Sequence, residues 1–509
     1  MRTHKAAGLA ALPLAVALVA LAPGVAAAAE AGEITIVLSE EPDIIDPCEA
    51  SRSNVGRIVK QNITETLTEI DPDDGSITPR LATAWEQIDD LTWRFTLQEG
   101  VKFHDGEDFN AETAKTAIER TLDERIDCEI RIKFFGGMEV TPVVVDEHTL
   151  DIKTAEPAPI LPTMMGTMTI TSPNTVMGER TRDPVGTGPY RFVSWEAGTS
   201  VVLERFEDYW GETPEVEKVT YVFRGESAVR AAMVAAGEAD IAPNIAVQDA
   251  TDPEMDFSYL NSETSSFRID VTKPPLDDIR VRKALNLAID RDALIGTIFS
   301  EDVVKATQMV VPSINGHNPN LEPYPYDPEQ ARQLLAEAEA DGVPTGDEIT
   351  IIGRTEIYPN ATEHAEATMA MLRDVGFNVK LNMLEVAEWV DTYTKPYAED
   401  RPPQLVQTQH DNNNGDAVFT VFFKYHSDGA QSVLSDPKVD QLIEQATVAT
   451  GDERRQAWQE AFRMVHEDLI ADIMMVYMVG YTRVGPRVDF TPSISTNSEL
   501  QVAHVRFKQ

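Results

Sequence analysis

The chain has 509 residues, and its 85 acidic and 43 basic residues give a formal net charge of −42 at pH 7. So negative a surface repels nucleic acid and anionic lipid, which excludes both as partners. The length exceeds what one hydrophobic core accommodates, so we expect two or three lobes.

The first residues have the order of a secretory signal peptide. Basic residues precede an apolar run over 6–22 and the small residues 25–29, which predicts a signal peptide over 1–29. A membrane anchor is the alternative, and Pro13 and the short uncharged span argue against it. No cysteine near the cleavage site could carry a lipid. We therefore expect a periplasmic protein that is not a lipoprotein, although a freely secreted protein would have the same features.

In the mature chain, the first half predicts short strands and turns, whereas the second half alternates helices with strands. Within 34–267, helices are expected only near 55–66, 111–122 and 228–236. From residue 279 onward the apolar periodicity predicts helices over 279–298, 329–340, 361–375 and 456–469. It predicts strands over 349–352, 377–384 and 473–481. This alternation favours an α/β layer with partly parallel strands.

Two segments of the first half have the most specific patterns. In 91–111, apolar residues alternate with polar ones as in a half-buried strand, a glycine turn follows, and Asn110 can cap a helix. In 183–211, a Gly-Thr-Gly-Pro turn leads into two alternating strands. These patterns predict β-rich modules with tight turns and no catalytic site.

Both segments resemble signature segments of the family 5 extracytoplasmic solute-binding proteins, which serve ABC importers of dipeptides, oligopeptides, nickel chelates and related solutes. Segments 42–47, 275–291 and 326–335 are similar to further motifs of this family and follow its order. The resemblance implies a two-lobed α/β periplasmic-binding-protein fold of type II, in the large cluster with an extra subdomain in lobe I. It also implies closure of the lobes over a ligand and an ABC permease in the inner membrane as partner.

The resemblance also divides the chain. Lobe I would comprise 30–268, lobe II would comprise 269–481, and the tail 482–509 would return to lobe I. Crossing strands at 267–271 and 476–483 would form the hinge. We expect a monomer.

No common catalytic or phosphate-binding motif is present: the sequence lacks G-x-x-x-x-G-K-[ST], G-x-S-x-G, H-E-x-x-H and C-x-x-C. Its nine histidines share no metal-ligand spacing, and His364 is expected on the exposed surface of a helix. The sequence therefore predicts neither an enzyme nor a bound cofactor or metal. A secreted hydrolase is the rival interpretation.

Only two cysteines follow the predicted signal peptide, Cys48 and Cys128. In an oxidising compartment such a pair can form one disulfide, which is the interpretation we favour. Two buried free thiols are the alternative, because the sequence alone does not place the two Cα atoms within bonding distance.

Segment 407–415, QTQHDNNNG, has the most unusual local composition. On its own it is typical of a surface loop rich in hydrogen-bond donors and acceptors. It also resembles the cleft loop of dipeptide and oligopeptide binders, where an aspartate that follows a tryptophan pairs with the α-ammonium of the ligand. Asn413 aligns with that aspartate and His410 with the tryptophan, so Asp411 or Asp416 would have to supply the charge.

The same resemblance assigns other residues to the ligand cleft. Arg354, accompanied by Tyr358, would face the ligand carboxylate, which the planar guanidinium can bind bidentately. Trp389 would pack on the ligand, and Ser39 and Glu40 would line the cleft from lobe I. An exposed strand end for Arg354 and a buried interlobe position for Trp389 are the alternatives.

Together these features predict the substrate-binding component of an ABC importer, with a short peptide as the solute. The alternative is the same fold with an oligosaccharide, an opine-like conjugate or a metal chelate as ligand. The Asn-rich segment favours this alternative, because amide side chains suit sugar hydroxyls or amides better than an ammonium.

Overall fold

The structure is a computed structural model that describes residues 32–136, 138–355 and 357–508, and only the backbone of Val386. The predicted signal peptide, 1–29, lies outside these residues. The strands in chain order are β1 Glu33–Leu38, β2 Glu65–Thr66, β3 Thr68–Ile70, β4 Ile77–Pro79, β5 Ala82–Asp89, β6 Thr92–Leu97, β7 Val140–Asp146, β8 Thr149–Thr154, β9 Thr169–Ile170, β10 Tyr190–Glu196, β11 Ser200–Arg205, β12 Lys218–Phe223, β13 Ile241–Ala242, β14 Asp256–Ile269, β15 Val304–Lys305, β16 Ile349–Arg354, β17 Val379–Leu384, β18 Gln404–Asp411, β19 Asp472–Val484, β20 Val488–Asp489 and β21 Arg506–Phe507. The α-helices are α1 Ser53–Val59, α2 Ala111–Leu122, α3 Leu161–Met165, α4 Ser227–Ala235, α5 Ile279–Leu287, α6 Arg291–Leu294, α7 Pro328–Ala340, α8 Ala361–Asp374, α9 Val386–Tyr393, α10 Val418–Tyr425, α11 Pro437–Val448 and α12 Gly451–Arg463. Within the described ranges, no helix has the length and apolar character needed to cross a bilayer.

One mixed sheet extends through the molecule. Its strand order is β10-β11-β12-β1-β13-β19-β14-β18-β16-β17, and β15 pairs with β19 outside this path. Pairing is parallel within β12-β1-β13 and within β18-β16-β17. Between these groups, β19 and β14 pair antiparallel with each other and with their outer neighbours. The two parallel groups therefore flank a long antiparallel pair.

The buried apolar residues form separate clusters. One cluster collects residues from 34–241 together with a group from the end of the chain, Val484, Val488, Leu500, Val502 and Val505. Two others collect residues from 267–494. A fourth, smaller cluster packs α4 against β1 and β13. We call the part built around the first and fourth clusters lobe I and the part built around the other two lobe II. The expected two-lobed α/β fold is confirmed, whereas the bounds 30–268, 269–481 and 482–509 stay predictions.

The two crossing strands, β14 and β19, contain 14 and 13 residues. Residues 256–260 of β14 pair with 479–483 of β19, and residues 264–268 pair with 472–477. Between these two stretches the register shifts, which leaves Asn261–Glu263 outside the ladder with β19. Such a β-bulge bends a strand and redirects its side chains, and bulges are frequent beside functional sites.

Most predicted elements are confirmed, with three corrections. The helix predicted near 55–66 ends at Val59, and residues 65–66 form strand β2 instead. The helix predicted over 279–298 is in fact two helices, α5 and α6, because the side chain of Asp290 caps the second one. Segment 407–415 is not a loop throughout, because β18 continues to Asp411 and only the residues after it leave the sheet. In lobe I, the four-stranded sheet β5-β6-β8-β7 contacts α2, which begins at the expected Asn110 cap.

In lobe I a disulfide joins Cys48 to Cys128, whose Cα atoms lie 5.0 Å apart. Beside it, the buried carboxylate of Asp46 accepts hydrogen bonds from Arg120 Nη2 at 2.7 Å, from Thr181 N at 2.6 Å and from Cys48 N at 2.8 Å. The cross-link and the ion pair together hold the loop after β1 against α2.

Replacing Asp46 tests how much this ion pair stabilises lobe I. Asp46→Asn leaves the buried Arg120 without its counter-charge, and we expect the free energy of unfolding to fall by about 3–5 kcal/mol. Asp43→Asn is the matched control, because Asp43 is exposed and its ion pair with Arg52 is worth less than about 1 kcal/mol. Urea denaturation of both variants measures the difference, and equal losses would contradict the assignment.

Candidate ligand-binding cleft

A cavity of about 400 Å³ lies where the crossing strands pass between the lobes. Its floor is formed by the bulge Asn261–Glu263 and by Met478–Tyr481 of β19. Lobe I contributes Ser53, Asn244–Val247 and Asn497, and lobe II contributes Ile298–Ser300, Val303, Pro359, Asn360 and Asp411. A second recess, of about 590 Å³, extends from Glu263 along Ile357–Glu363. Both lobes therefore present side chains to one space.

Among the described residues that line this cavity, the charged side chains are the carboxylates of Glu263 and Asp411. Glu263 of β14 lies directly opposite Asp411 of β18 in the antiparallel register. Asn261 Nδ2 donates to Glu263 Oε2 at 3.0 Å, and the hydroxyl of Ser262 donates to Asp411 Oδ1. Burial, and then the neighbouring charge of Asp411, raise the pKa of Glu263 to about 7. Like charges placed opposite each other cost stability, so this pair favours a cation in the cavity.

Of the residues predicted for the cleft, Asp411 lines the cavity and Tyr358 lines the second recess. The hydroxyl of Tyr358 is occupied, because Gln407 Nε2 donates to it at 2.8 Å and His364 Nδ1 lies 2.7 Å away. The predicted lobe I residues lie at the end of β1. There, Asn54 Nδ2 donates to Ser39 Oγ and to the carbonyl oxygen of Glu40, both at 3.2 Å.

Arg354 and Trp389 pack against each other in lobe II. The guanidinium of Arg354 lies 5.4 Å from the centroid of the Trp389 ring, and the indole N–H donates to the carbonyl oxygen of Gln407 at 2.9 Å. Trp389 is buried, and neither residue lines the two recesses described above. The structure thus brings the two predicted residues together, and Gln407 holds both, since its Oε1 accepts from Arg354 N at 3.3 Å.

The Asn-rich residues after β18 do not line this cavity, and they contact both lobes. Asn413 Nδ2 donates to Ser498 Oγ at 2.9 Å, and the buried Asn412 donates to Thr420 Oγ1 at 2.8 Å. His410 Nε2 shares a 2.7 Å hydrogen bond with the same Thr420 hydroxyl. The side-chain amides of Asn412 and Asn413 are therefore engaged in holding the chain in place, while Asn413 and Asn414 line a separate recess beside Gly75.

Asp416 forms a buried ion pair and does not line this cavity. Its two carboxylate oxygens accept from Arg454 Nη2 and Nε at 2.7 and 2.8 Å, and both partners are buried. Asn315 Nδ2 adds a third hydrogen bond at 2.9 Å. The charge of Asp416 is thus already compensated, whereas Asp411 lines the cavity.

His364 is also corrected. The sequence places it on an exposed helix face, but its side chain is fully buried in α8 beside Tyr358 and Phe299. Burial lowers its pKa to about 3, so the ring is neutral at ordinary pH. The neutral ring meets the Tyr358 hydroxyl, which explains how a histidine is accommodated in an apolar core.

Glu263 is the site residue that sequence reasoning missed. It belongs to the polar run Asn261–Ser265 in the middle of a long strand, and this run is the sequence feature that could have indicated the site.

No group of three or more His, Cys, Asp or Glu side chains with metal-site geometry is found in the described part of the chain. The arrangement can bind a solute through its charges and amides.

Sequence comparison places these features in a known context. Residues 76–432 match the family model described as bacterial extracellular solute-binding proteins, family 5 Middle. The heme-binding protein A of Haemophilus influenzae is 28% identical over 468 residues, which cover 84% of each chain. The glutathione-binding protein GsiB of Salmonella typhi is 29% identical over 399 residues, covering 76% of this chain and 75% of that protein.

Solved structures share the fold. HbpA2 from Haemophilus parasuis superposes with a TM-score of 0.82 at 21% identity, covering 94% of this chain and all of that one. The periplasmic binding protein DppA from Helicobacter pylori, in complex with the peptide STSA, has a TM-score of 0.69 at 21% identity and covers 94% of this chain and 98% of its own. At these identities the likeness concerns the fold.

The burial of His364 makes stability dependent on pH. Its pKa of about 3 in the folded protein lies below the ordinary value of 6.5, so between these values the unfolded chain binds a proton that the folded protein does not. The free energy of unfolding should therefore fall as the pH drops below about 6.5, by about 1.4 kcal/mol per pH unit from this residue.

Urea denaturation of the wild type and two variants between about pH 7 and pH 5 checks this slope. His364→Gln should flatten it by the amount given above, whereas His148→Gln, at a partly exposed ring, should leave it unchanged. Equal slopes in all three proteins would show that His364 is not the source.

Proposed function

Because the chain belongs to the bacterial extracellular solute-binding proteins of family 5, we propose that it is the substrate-binding component of an ABC importer and that its solute is a short peptide with a free amino terminus. The observation that carries the peptide assignment is the carboxylate pair Glu263 and Asp411 in the interlobe cavity. A peptide α-ammonium placed between them would relieve their repulsion and donate charge-assisted hydrogen bonds to both carboxylates.

The family consists of solute-binding proteins rather than enzymes, and we propose binding without turnover for this chain. The ligand would contact both lobes across the crossing strands, and its contacts would stabilise the closed arrangement. The closed protein would then dock as a monomer, in the periplasm, on the permease subunits in the inner membrane. Water-filled space beside the ligand would tolerate varied peptide side chains, because bridging waters cost little.

Two comparisons support a peptide ligand. GsiB is a glutathione-binding protein, and the DppA structure contains a bound peptide. The sugar, opine or chelate alternative rested on the Asn-rich segment, but Asn412 and Asn413 make hydrogen bonds to Thr420 and Ser498. These contacts weaken that alternative. Arg354 and Trp389 stay predictions as ligand contacts.

The amine site is tested with trialanine and N-acetyl-trialanine. Acetylation removes the ammonium, and the loss of a charge-assisted interaction of ~1.5–3 kcal/mol should weaken binding by about 10- to 150-fold. In the double variant Glu263→Gln, Asp411→Asn this preference should disappear. Asp43→Asn is the control for lost surface charge. Asp416→Asn is a second control, and it should keep the preference. Isothermal titration calorimetry measures the affinities of the wild type, the double variant and the two controls.

If the wild type binds neither peptide, the peptide proposal is wrong, and native mass spectrometry of the purified mature protein would identify the retained solute instead. A discrete adduct with the mass of a sugar or a chelate would replace the peptide by that ligand. If trialanine binds but the double variant keeps its preference for the amine, the assignment of Glu263 and Asp411 fails.

Binding of the amine should also depend on pH. Glu263 has a pKa of about 7 without ligand and must be ionised to pair with an ammonium, so binding releases its proton. The affinity for trialanine should fall by up to about tenfold per pH unit below about pH 7. Glu263→Gln should remove most of this dependence, and an unchanged profile in that variant would contradict it. Calorimetry between about pH 7 and pH 5.5 is suitable, because the peptide amine itself stays charged there.

A further inference from the structure

Arg57 lies beneath the lobe I wall of the cleft, and it is buried with neutral partners. Its Nε donates to the carbonyl oxygen of Thr496 at 2.8 Å and its Nη1 to Asn54 Oδ1 at 2.7 Å. Its Nη2 donates to the carbonyl oxygen of Asn497 at 2.7 Å and to Asn244 Oδ1 at 3.2 Å. Only 1% of this residue is exposed. The hydrogen bonds are satisfied, but none of these oxygens carries a compensating charge.

Arg230, on α4, is a second buried arginine at the same place. Its Nη1 donates to the carbonyl oxygens of Arg224 and Gly225 at 3.0 and 2.7 Å, and its Nη2 to that of Asn244 at 2.6 Å. The Nε atom is buried and has no hydrogen-bond partner in the described part of the chain. The residue is 3% exposed.

Neither guanidinium forms an ion pair within the described residues. The acidic groups that act on Arg230 from a distance are Asp249 and Glu226, and burial outweighs them, so its pKa is lowered. Burial also lowers the pKa of Arg57, to about 10. A buried cation without a counter-charge costs free energy, which an anion in an adjacent cavity would offset.

Both arginines meet at Asn244, which lines the cavity. Arg57 bonds its side-chain oxygen and Arg230 bonds its backbone oxygen. Because a guanidinium can only donate, the amide must turn Oδ1 toward Arg57, so that Nδ2 is left as a donor on the other side. Asn244 has a φ of +57°, a left-handed conformation that is uncommon for residues other than glycine and that these hydrogen bonds hold.

We propose that the lobe I wall of the cleft, with Asn244 and Ser53 as donors in front of Arg57 and Arg230, binds a carboxylate group of the solute. This inference rests on the proposed function and deepens it: the cavity would place an anion on the lobe I side and an ammonium at Glu263 and Asp411. The preferred solute is then a zwitterion whose two ends contact different lobes. The carboxylate would lie in lobe I, rather than at Arg354 as the sequence predicts.

The substitution Asn244→Asp tests this wall while preserving its shape. Aspartate tolerates the left-handed backbone and still accepts from Arg57, but it places a negative charge where the ligand carboxylate would lie. The wild type should bind trialanine at least about tenfold more tightly than trialanine amide, as expected for a lost charge-assisted contact. Asn244→Asp should abolish or reverse this preference. Asn378→Asp, the same change at an exposed position of lobe II, should retain it.

Two outcomes overturn the proposal. Asn244→Asp could keep the preference for the acid over the amide, or Arg354→Met could abolish it, which would return the carboxylate to Arg354. Calorimetry of the four proteins with both peptides distinguishes these cases.

A smaller probe tests the wall if the wild type binds no peptide, in which case the proposed solute is wrong. Propionate and the neutral isostere propionamide are then compared for their effect on the Tm at constant ionic strength. Propionate should raise the Tm of the wild type and of Asn378→Asp more than propionamide does, and this difference should vanish in Asn244→Asp. Equal effects of the two probes on the wild type would overturn the carboxylate site itself.

Discussion

The antiparallel pairing of β14 with β19 is the constraint on which the rest of the structure depends. Each strand belongs to both lobes, so the parallel groups on either side are held at a distance that this pair sets. The register shift in the middle releases Asn261–Glu263 from the ladder with β19 between the lobes. A regular ladder would alternate these side chains across the sheet, whereas the bulge directs them into the cavity.

Some buried charges in this molecule have a charged partner, and others have neutral partners. Asp46 with Arg120, Asp416 with Arg454, and Asp256 with Arg483 are pairs whose charges compensate each other and whose role is structural. At the cleft, by contrast, the acids Glu263 and Asp411 face each other, and Arg57 and Arg230 bind neutral oxygens. Neutral partners alone do not mark a ligand site, because Arg282 and Arg291 also bind backbone oxygens and line neither recess. The cleft differs because its uncompensated groups are grouped around one cavity.

The family resemblance and the apolar periodicity predicted the fold well, because long helices such as α7 and strands such as β16 are decided by local pattern. The individual site residues were less predictable. Asp416 looked available because its partner Arg454 is 38 residues away in sequence. His364 was expected on the surface because its side chain is polar. The sequence does not show that the Tyr358 hydroxyl supplies a hydrogen-bond partner for it inside the core. Glu263 and Asn244 were missed because their significance lies in what faces them across strands and lobes.

The hydrogen bonds of Arg57 to Thr496 and Asn497 join residues about 440 positions apart. Val488, Leu500, Val502 and Val505 complete the same core from the other end of the chain. Lobe I therefore cannot reach its final packing until residues 484–505 are available, whether or not lobe II has already folded. Contacts so distant in sequence form slowly, since a long loop must close before they contribute. A chain built in this way keeps lobe I incompletely packed while it is being made.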